Sequence, residues 1–143
     1  MAYKRTKILR VVNMERCIGC ENCVIACSNI RLGKITPELS AIRVKSTGGI
    51  EGAAFSVIVC RSCEDPPCAK VCPTNALIAA EPRGIFYDER KCIGCENCVS
   101  ACPYRAIYIS PLTNKAVVCI QCGICTNFCP HNILQMVSVE EAE

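Results

Sequence analysis

Apolar residues in this chain come in short runs set between turn signals. Ile8–Val12 is an apolar run suited to a first strand, and Cys23–Asn29 suits a helical turn or two. Ala76–Ala79 and Ile85–Tyr87 flank Glu81-Pro82-Arg83-Gly84, which predicts a hairpin. Ala106–Ile109 and Ala116–Val118 flank Ser110-Pro111-Leu112-Thr113-Asn114, which predicts another. Ile133–Val139 reads as a closing strand, although its pattern suits a helix equally well. Ser28–Phe55 is irregular, with Gly48, Gly49 and Gly52. It is expected to form a surface crossover that turns at Gly48-Gly49. No apolar run approaches the 18 residues of a membrane span. The first 17 residues lack an apolar signal core, and Lys4-Arg5 is not a twin-arginine pair. The expected setting is therefore cytoplasmic and reducing.

Cysteine changes this picture of a small α+β chain. There are 16 cysteines in 143 residues, and they fall into four sets of four. Three sets read C-x2-C-x2-C-x3-C: Cys17-Cys20-Cys23-Cys27, Cys92-Cys95-Cys98-Cys102 and Cys119-Cys122-Cys125-Cys129. The second in chain order, Cys60-Cys63-Cys68-Cys72, is stretched by two residues before its third cysteine, and Pro66-Pro67 stands in the stretch. Proline follows the last cysteine in three sets, at Pro73, Pro103 and Pro130, whereas Ser28 follows the first set. This is the spacing of bacterial [4Fe-4S] sites, in which the fourth cysteine of one run ligates the other cluster of a pair. Four runs with no cysteine left over predict four [4Fe-4S] clusters held by iron–thiolate bonds. A small chain filled with redox centres is expected to move electrons. Which runs pair is left open by the spacing. A disulfide scaffold would leave the fourfold spacing unexplained, and a structural zinc site uses separated cysteine pairs or histidines.

The hydrophobic fraction of 51% includes every cysteine, and the chain has no Trp and seven other aromatics. Clusters are expected to stand in for much of a conventional core, so that their binding free energy becomes folding free energy. The formal charge of +3 is that of the polypeptide without clusters. Each oxidised cluster with four thiolates adds about −2. The scattered basic residues Lys4, Arg5, Lys7 and Arg10 do not make a nucleic-acid-binding stripe.

CIGCENC occurs twice, at 17–23 and 92–98. The phrases CPTNAL (72–77), CPYRAI (102–107) and CPHNIL (129–134) repeat after three runs. Such repeats point to duplicated ferredoxin units. Gly19, Gly94 and Gly123 lie inside loops that must curl tightly, whereas the second run has Ser62 and its prolines. Arg16, Arg61, Lys91 and Arg105 neighbour the runs, and a nearby cation raises a cluster's potential. Glu21 and Glu96 precede short helices, where an acid suits the helix dipole. Sixteen cysteines already complete four ligand sets, so the single histidine, His131, is not expected to bind iron. Tyr87, Tyr104 and Phe128 are expected to pack beside clusters and exclude water.

CRSCEDPPCAKVCPTNAL (60–77) and KCIGCENCVSACPY (91–104) resemble the four-cluster iron–sulfur subunits of molybdenum and tungsten oxidoreductases. The likeness covers Met14–Ile133. The compact fourth run, Cys119–Cys129, is nearest to the small subunit of aldehyde oxidoreductase-type tungsten enzymes. It differs from the longer gap of dimethyl sulfoxide reductase-type subunits. The resemblance implies a duplicated bacterial ferredoxin-like fold in two pseudo-twofold lobes and nested pairing of the runs. Cluster A would then use Cys17, Cys20, Cys23 and Cys129, and cluster B would use Cys119, Cys122, Cys125 and Cys27. Cluster C would use Cys60, Cys63, Cys68 and Cys102, and cluster D would use Cys92, Cys95, Cys98 and Cys72. Residues 1–59 with 103–143 would form an outer lobe and 60–102 an inner lobe of one polyferredoxin domain. The implied role is electron transfer without catalysis, beside a larger tungsten or molybdenum subunit. A flavin- or NAD-linked subunit, a ferredoxin or a second copy are further candidate partners. A free polyferredoxin and a hydrogenase or carbon monoxide dehydrogenase subunit are the rival roles.

Overall fold

The computed structural model describes residues 6–48 and 54–142. Lys4, Arg5, Gly49 and Gly52, singled out above, lie outside the described residues. The chain runs through β1 (Lys7–Val11), α1 (Asn22–Leu32), β2 (Arg43–Ser46), β3 (Phe55–Ile58) and α2 (Pro67–Lys70). It continues with β4 (Leu77–Ala79), β5 (Ile85–Tyr87), α3 (Asn97–Ala101), β6 (Tyr108–Ile109), β7 (Ala116–Val117) and β8 (Leu134–Ser138). Four two-stranded antiparallel ribbons result: β1–β8, β2–β3, β4–β5 and β6–β7. The two expected hairpins form as read, and Leu134–Ser138 resolves as strand. It does so because it pairs with the first strand, Lys7 opposite Ser138 and Val11 opposite Leu134.

An isolated two-stranded ribbon is marginal in water, so each must bury a face. The apolar side chains gather into two clusters. Leu9, Val24, Leu39, Ile42, Val57 and Leu134 belong to one, with Cys23, Cys119 and Cys125. Leu77, Ile85, Ile107 and Val118 belong to the other, with Cys68 and Cys98. The β6–β7 ribbon serves both, since Val117 packs in the first and Ala116 in the second.

The expected surface crossover at Ser28–Phe55 is corrected. With no proline after Cys27, α1 runs on to Leu32 and ends at Gly33, whose φ is +65° and whose N–H donates to the Asn29 carbonyl. Ser28 is fully buried. Its hydroxyl donates to the Ile25 carbonyl and accepts from the Thr36 N–H. A 3-10 turn at Pro37–Leu39 then leads into Ala41 and Ile42, each 1% exposed, and into the β2–β3 hairpin. The Thr47 and Gly48 N–H groups both donate to the Ala54 carbonyl at the hairpin's end. Only part of the segment is surface. The rest is core, since Leu39, Ala41 and Ile42 are buried in one cluster with Leu9, Val24, Val57 and Leu134.

Candidate iron–sulfur centres

Each cysteine run folds the same way locally. The second residue between the first two cysteines takes a left-handed conformation in all four runs: Gly19 (φ +69°), Ser62 (+50°), Gly94 (+71°) and Gln121 (+61°). The residue after the second cysteine does so in three runs, as Glu21, Glu96 and Gly123. A third such turn follows the last cysteine at Asn75, Arg105 and Asn132, the matching positions of the repeated CPTN, CPYR and CPHN phrases. Left-handed residues in close succession curl the backbone into concave nests whose N–H groups face an anion. Glycine does this without strain, and Ser62 and Gln121 are held there by their surroundings.

The curling sorts the cysteines by depth. The third cysteine of every run (Cys23, Cys68, Cys98 and Cys125) is buried, while Cys20, Cys95 and Cys122, the second of three runs, are exposed. No cysteine is disulfide-bonded. Four hollows open against these residues. One is lined by Cys17, Cys20, Cys23 and Cys129, with a volume of about 20 Å³. The second is lined by Cys119, Cys122, Cys125 and Cys27, also at about 20 Å³. The third is lined by Cys60, Cys63, Cys68 and Cys102, again about 20 Å³. The fourth is lined by Cys92, Cys95, Cys98 and Cys72, likewise about 20 Å³. Every hollow thus joins three cysteines of one run to the fourth of another. The stretched run frames a hollow the size of the rest.

The donor set suits an iron–sulfur cube better than a single metal ion. Among the described residues no three His, Cys, Asp or Glu side chains converge where one metal ion would sit. Four sulfurs around a hollow, with apolar walls, suit a polynuclear thiolate-bound group and not a single zinc. N–H groups also point at sulfurs. Ala41 donates to Cys27 (3.3 Å), Ala116 to Cys92 (3.4 Å), Gln121 to Cys119 (3.4 Å) and Ile133 to Cys129 (3.4 Å).

Burial pushes the Cys23, Cys68 and Cys125 thiols up to about 12 and Cys98 to about 11, and it pushes Cys119 upward too. A lone thiolate is disfavoured at these positions until iron supplies positive charge. Cys72 and Cys92 go the other way. Burial again raises both, but hydrogen bonds outweigh it. Cys72 receives the Leu77, Thr74 and Ala76 N–H groups and the Thr74 hydroxyl. Cys92 receives the Ala116 and Gly94 N–H groups, faces the Tyr87 hydroxyl and feels the Lys115 charge.

The position after the first cysteine covers each hollow. Ile18, Ile93 and Ile120 stand there, 56%, 66% and 47% exposed, and each lines its hollow. In the stretched run this position is Arg61, which lies over the Tyr104 ring at 4.9 Å, and both line the third hollow. A cation replaces an apolar cover there. Tyr87 lines the fourth hollow as expected, but Phe128 is 53% exposed and lines none of the four. His131 lines the first hollow without being needed as a ligand. Glu21 and Glu96 sit at helix N-caps without a side-chain capping bond. Arg16, Lys91 and Arg105 are exposed. The carbonyl of Arg105 accepts from the Arg43 guanidinium, which also lies over Tyr108.

Two residues that do not stand out in the sequence act at these sites. Gln121 occupies the position that is glycine in two other runs. Its amide oxygen accepts from the Leu9 N–H (2.6 Å) and its amide nitrogen reaches the Cys119 sulfur (3.5 Å), which ties β1 to that loop. The Lys115 ammonium donates to the Glu89 (2.8 Å) and Cys92 (3.0 Å) carbonyls and fastens the β6–β7 turn to the third run.

Residues 53–139 match the 4Fe-4S dicluster domain family, and residues 10–29 match the 4Fe-4S binding domain. The protein belongs to the 4Fe-4S dicluster domain family. Among curated proteins it is similar to the thiosulfate reductase electron transfer subunit PhsB of Salmonella typhi, 34% identical across 73% of this chain and 57% of the relative. A subunit of the tetrathionate reductase of Salmonella typhimurium is 32% identical across 80% and 48%. A component of the anaerobic dimethyl sulfoxide reductase of Escherichia coli is 36% identical across 66% and 51%. The chain spans about half the length of these relatives.

Proposed function

We propose that this chain holds four [4Fe-4S] clusters and carries electrons for a larger oxidoreductase subunit containing a molybdenum or tungsten cofactor. The carrying observation is the set of four hollows, each lined by three cysteines of one run and the fourth of another. It supports nested sharing, with the first run paired to the fourth and the second to the third. It supports the two-lobed, duplicated ferredoxin-like arrangement as well, since the two apolar clusters divide the same way. In the proposed division, residues 1–59 with 103–143 form the outer lobe and 60–102 the inner one. The side chains of Ile107, Ala116 and Val118 reach into the inner lobe.

When bound, such clusters accept and release single electrons without substrate chemistry. The chain's own residues set the conditions. The thiolates hold iron, and the N–H groups aimed at Cys27, Cys92, Cys119 and Cys129 stabilise negative charge on sulfur. Ile18, Ile93 and Ile120 keep water from three sites, while Arg61 places positive charge at the mouth of the other.

The names of the relatives support a reductase partner, and the compact fourth run keeps an aldehyde oxidoreductase-type tungsten partner within the proposal. Among the described residues no helix is long and apolar enough to cross a membrane, and the proposed setting is the cytoplasm. The test is anaerobic isolation of the native particle, with its mass and its tungsten, molybdenum and nickel content. A larger subunit with tungsten or molybdenum supports the reading. Nickel favours a hydrogenase or carbon monoxide dehydrogenase, and a particle of this chain alone favours a free polyferredoxin.

A further inference from the structure

Two of the four hollows are framed by the same heptapeptide, CIGCENC, at 17–23 and 92–98. The loops match residue for residue. Gly19 and Gly94 take the same left-handed turn, and Glu21 and Glu96 are both exposed. An exposed cation, Arg16 or Lys91, directly precedes each loop. A difference between the two sites must therefore come from what packs around them. The Cys17 hollow is closed by Val44, Val57, Ile133 and Leu134, with His131 in its wall. The Ile133 N–H aimed at Cys129 has its counterpart in the Ala116 N–H aimed at Cys92. Around Cys92, more arrives. The half-buried Lys115 ammonium is held by the Cys92 (3.0 Å) and Glu89 (2.8 Å) carbonyls. The Tyr87 hydroxyl is buried and faces the Cys92 sulfur. The Thr74 hydroxyl lies 3.8 Å from the Cys72 sulfur.

Adding one electron makes a thiolate-bound site one charge more negative. A nearby cation and polar hydrogens stabilise that state more than the oxidised one, so they raise the potential. A thiol is a weak acceptor, whereas an iron-bound thiolate accepts a charge-assisted bond. The buried Tyr87 hydroxyl therefore finds its acceptor when Cys92 binds iron. Two carbonyls tether Lys115, so its field is screened less than that of a cation free in water. Glu96 lines this hollow too, but Glu21 lines the other in the same place, and the two cancel. Building on the four-cluster reading, we propose that Lys115 and Tyr87 set the reduction potential of the Cys92 site above that of the Cys17 site. An electron shared between these two sites then rests at the Cys92 site.

A purely structural role for Lys115, fastening its turn to the loop, would leave the potentials where they are. The protein is loaded anaerobically with iron and sulfide and reduced stepwise at about pH 8, where an imidazole adds no charge. Electron paramagnetic resonance reads each step. Cys20→Ser and Cys95→Ser exchange the equivalent exposed ligand of the two loops and mark which step belongs to which site. The Cys92 step is expected above the Cys17 step by at least about tenfold in the one-electron equilibrium, or about 59 mV. Lys115→Met and Tyr87→Phe each lower the Cys92 step by about threefold or more and leave the Cys17 step in place. Lys115→Arg keeps the charge and stays within about twofold of the parent. Arg90→Met removes a cation that is 91% exposed and paired with Asp88, and it moves the Cys92 step by less than about twofold. A Cys17 step at or above the Cys92 step overturns the proposal. So does a Cys92 step unmoved by either variant at full iron content, or one moved as far by Arg90→Met as by Lys115→Met. If Lys115→Met fails to retain iron, Tyr87→Phe and the order of the parent's steps decide the question. A parent with too little iron for four clusters overturns the four-cluster reading itself, and the proposal with it, before any step is compared.

Discussion

Gly94→Ala tests whether the cysteine loops are held by the hairpins packed against them. Gly94 has φ +71°, and an added Cβ would stand 2.3 Å from the Asn114 carbonyl oxygen. An ordinary carbon–oxygen contact is about 3.3 Å or more, so the overlap is about 1 Å, and against backbone. The turn cannot simply swing away. Asn114 N–H donates to the Ser110 carbonyl (2.8 Å), and Lys115 is bonded to the Glu89 and Cys92 carbonyls. Gly33 supplies the control, since its φ is +65° and nothing lies within 4 Å of its added Cβ. Gly33→Ala therefore carries only the left-handed penalty, about 1–2 kcal/mol. Gly94→Ala carries that penalty and an overpacking cost of about 1–3 kcal/mol more. Gly123→Ala falls between them, because its Cβ meets the flexible Met136 side chain at 2.9 Å. The assay is the rate at which the anaerobic, iron-loaded protein releases iron to a chelator in denaturant. At about 1.4 kcal/mol per decade, Gly94→Ala is expected to lose iron about tenfold faster than Gly33→Ala, or more. Equal rates would mean that the Asn114 turn is not fastened to the loop, and the packing argument would fail.

The reconstituted chain is expected to contain about 16 iron and 16 sulfide, and a value near half of that would remove two of the proposed clusters. Cys27→Ser is expected to remove iron from the site built on Cys119, Cys122 and Cys125, not from the one built on Cys17, Cys20 and Cys23. Anomalous difference maps of the variant show which site is depleted, and the reverse result rejects nested sharing. Arg61→Ile removes the cation at the mouth of the Cys60 hollow. An exposed charge is worth about 1 kcal/mol or less, so one reduction potential should fall by about 20–40 mV at low salt and by less at high salt. Potentiometric titration followed by electron paramagnetic resonance reads that shift, and a rise on removing the cation would contradict it. Gln121→Leu is expected to lower the midpoint of iron loss by about 1–3 kcal/mol equivalent, because the Leu9 N–H is left buried without its acceptor. A midpoint unchanged from the parent would show that the bond contributes nothing.

The cysteine runs were legible because their geometry is local. Spacings of three and four residues determine which thiols share a loop or a helical turn, and the left-handed residues that curl those loops lie inside the runs. The β4–β5 and β6–β7 hairpins were legible for the same reason, as each is closed by a short turn between adjacent apolar runs. The family resemblance added the nested order, which spacing alone left open. Tertiary structure decided what depends on distant residues meeting. The pairing of β1 with β8 brings opposite ends of the chain together, so that Cys129 lines a hollow with Cys17 and Cys27 lines one with Cys119. The Ser28–Phe55 segment carried no clear strand alternation. Its order comes from burying Leu39, Ala41 and Ile42 against walls that exist only once the rest has folded. Gln121 gains its role only where the fold sets the Leu9 N–H beside it. Short-range backbone sterics act through sequence spacing, whereas burial and shared ligation act through contacts that spacing does not encode.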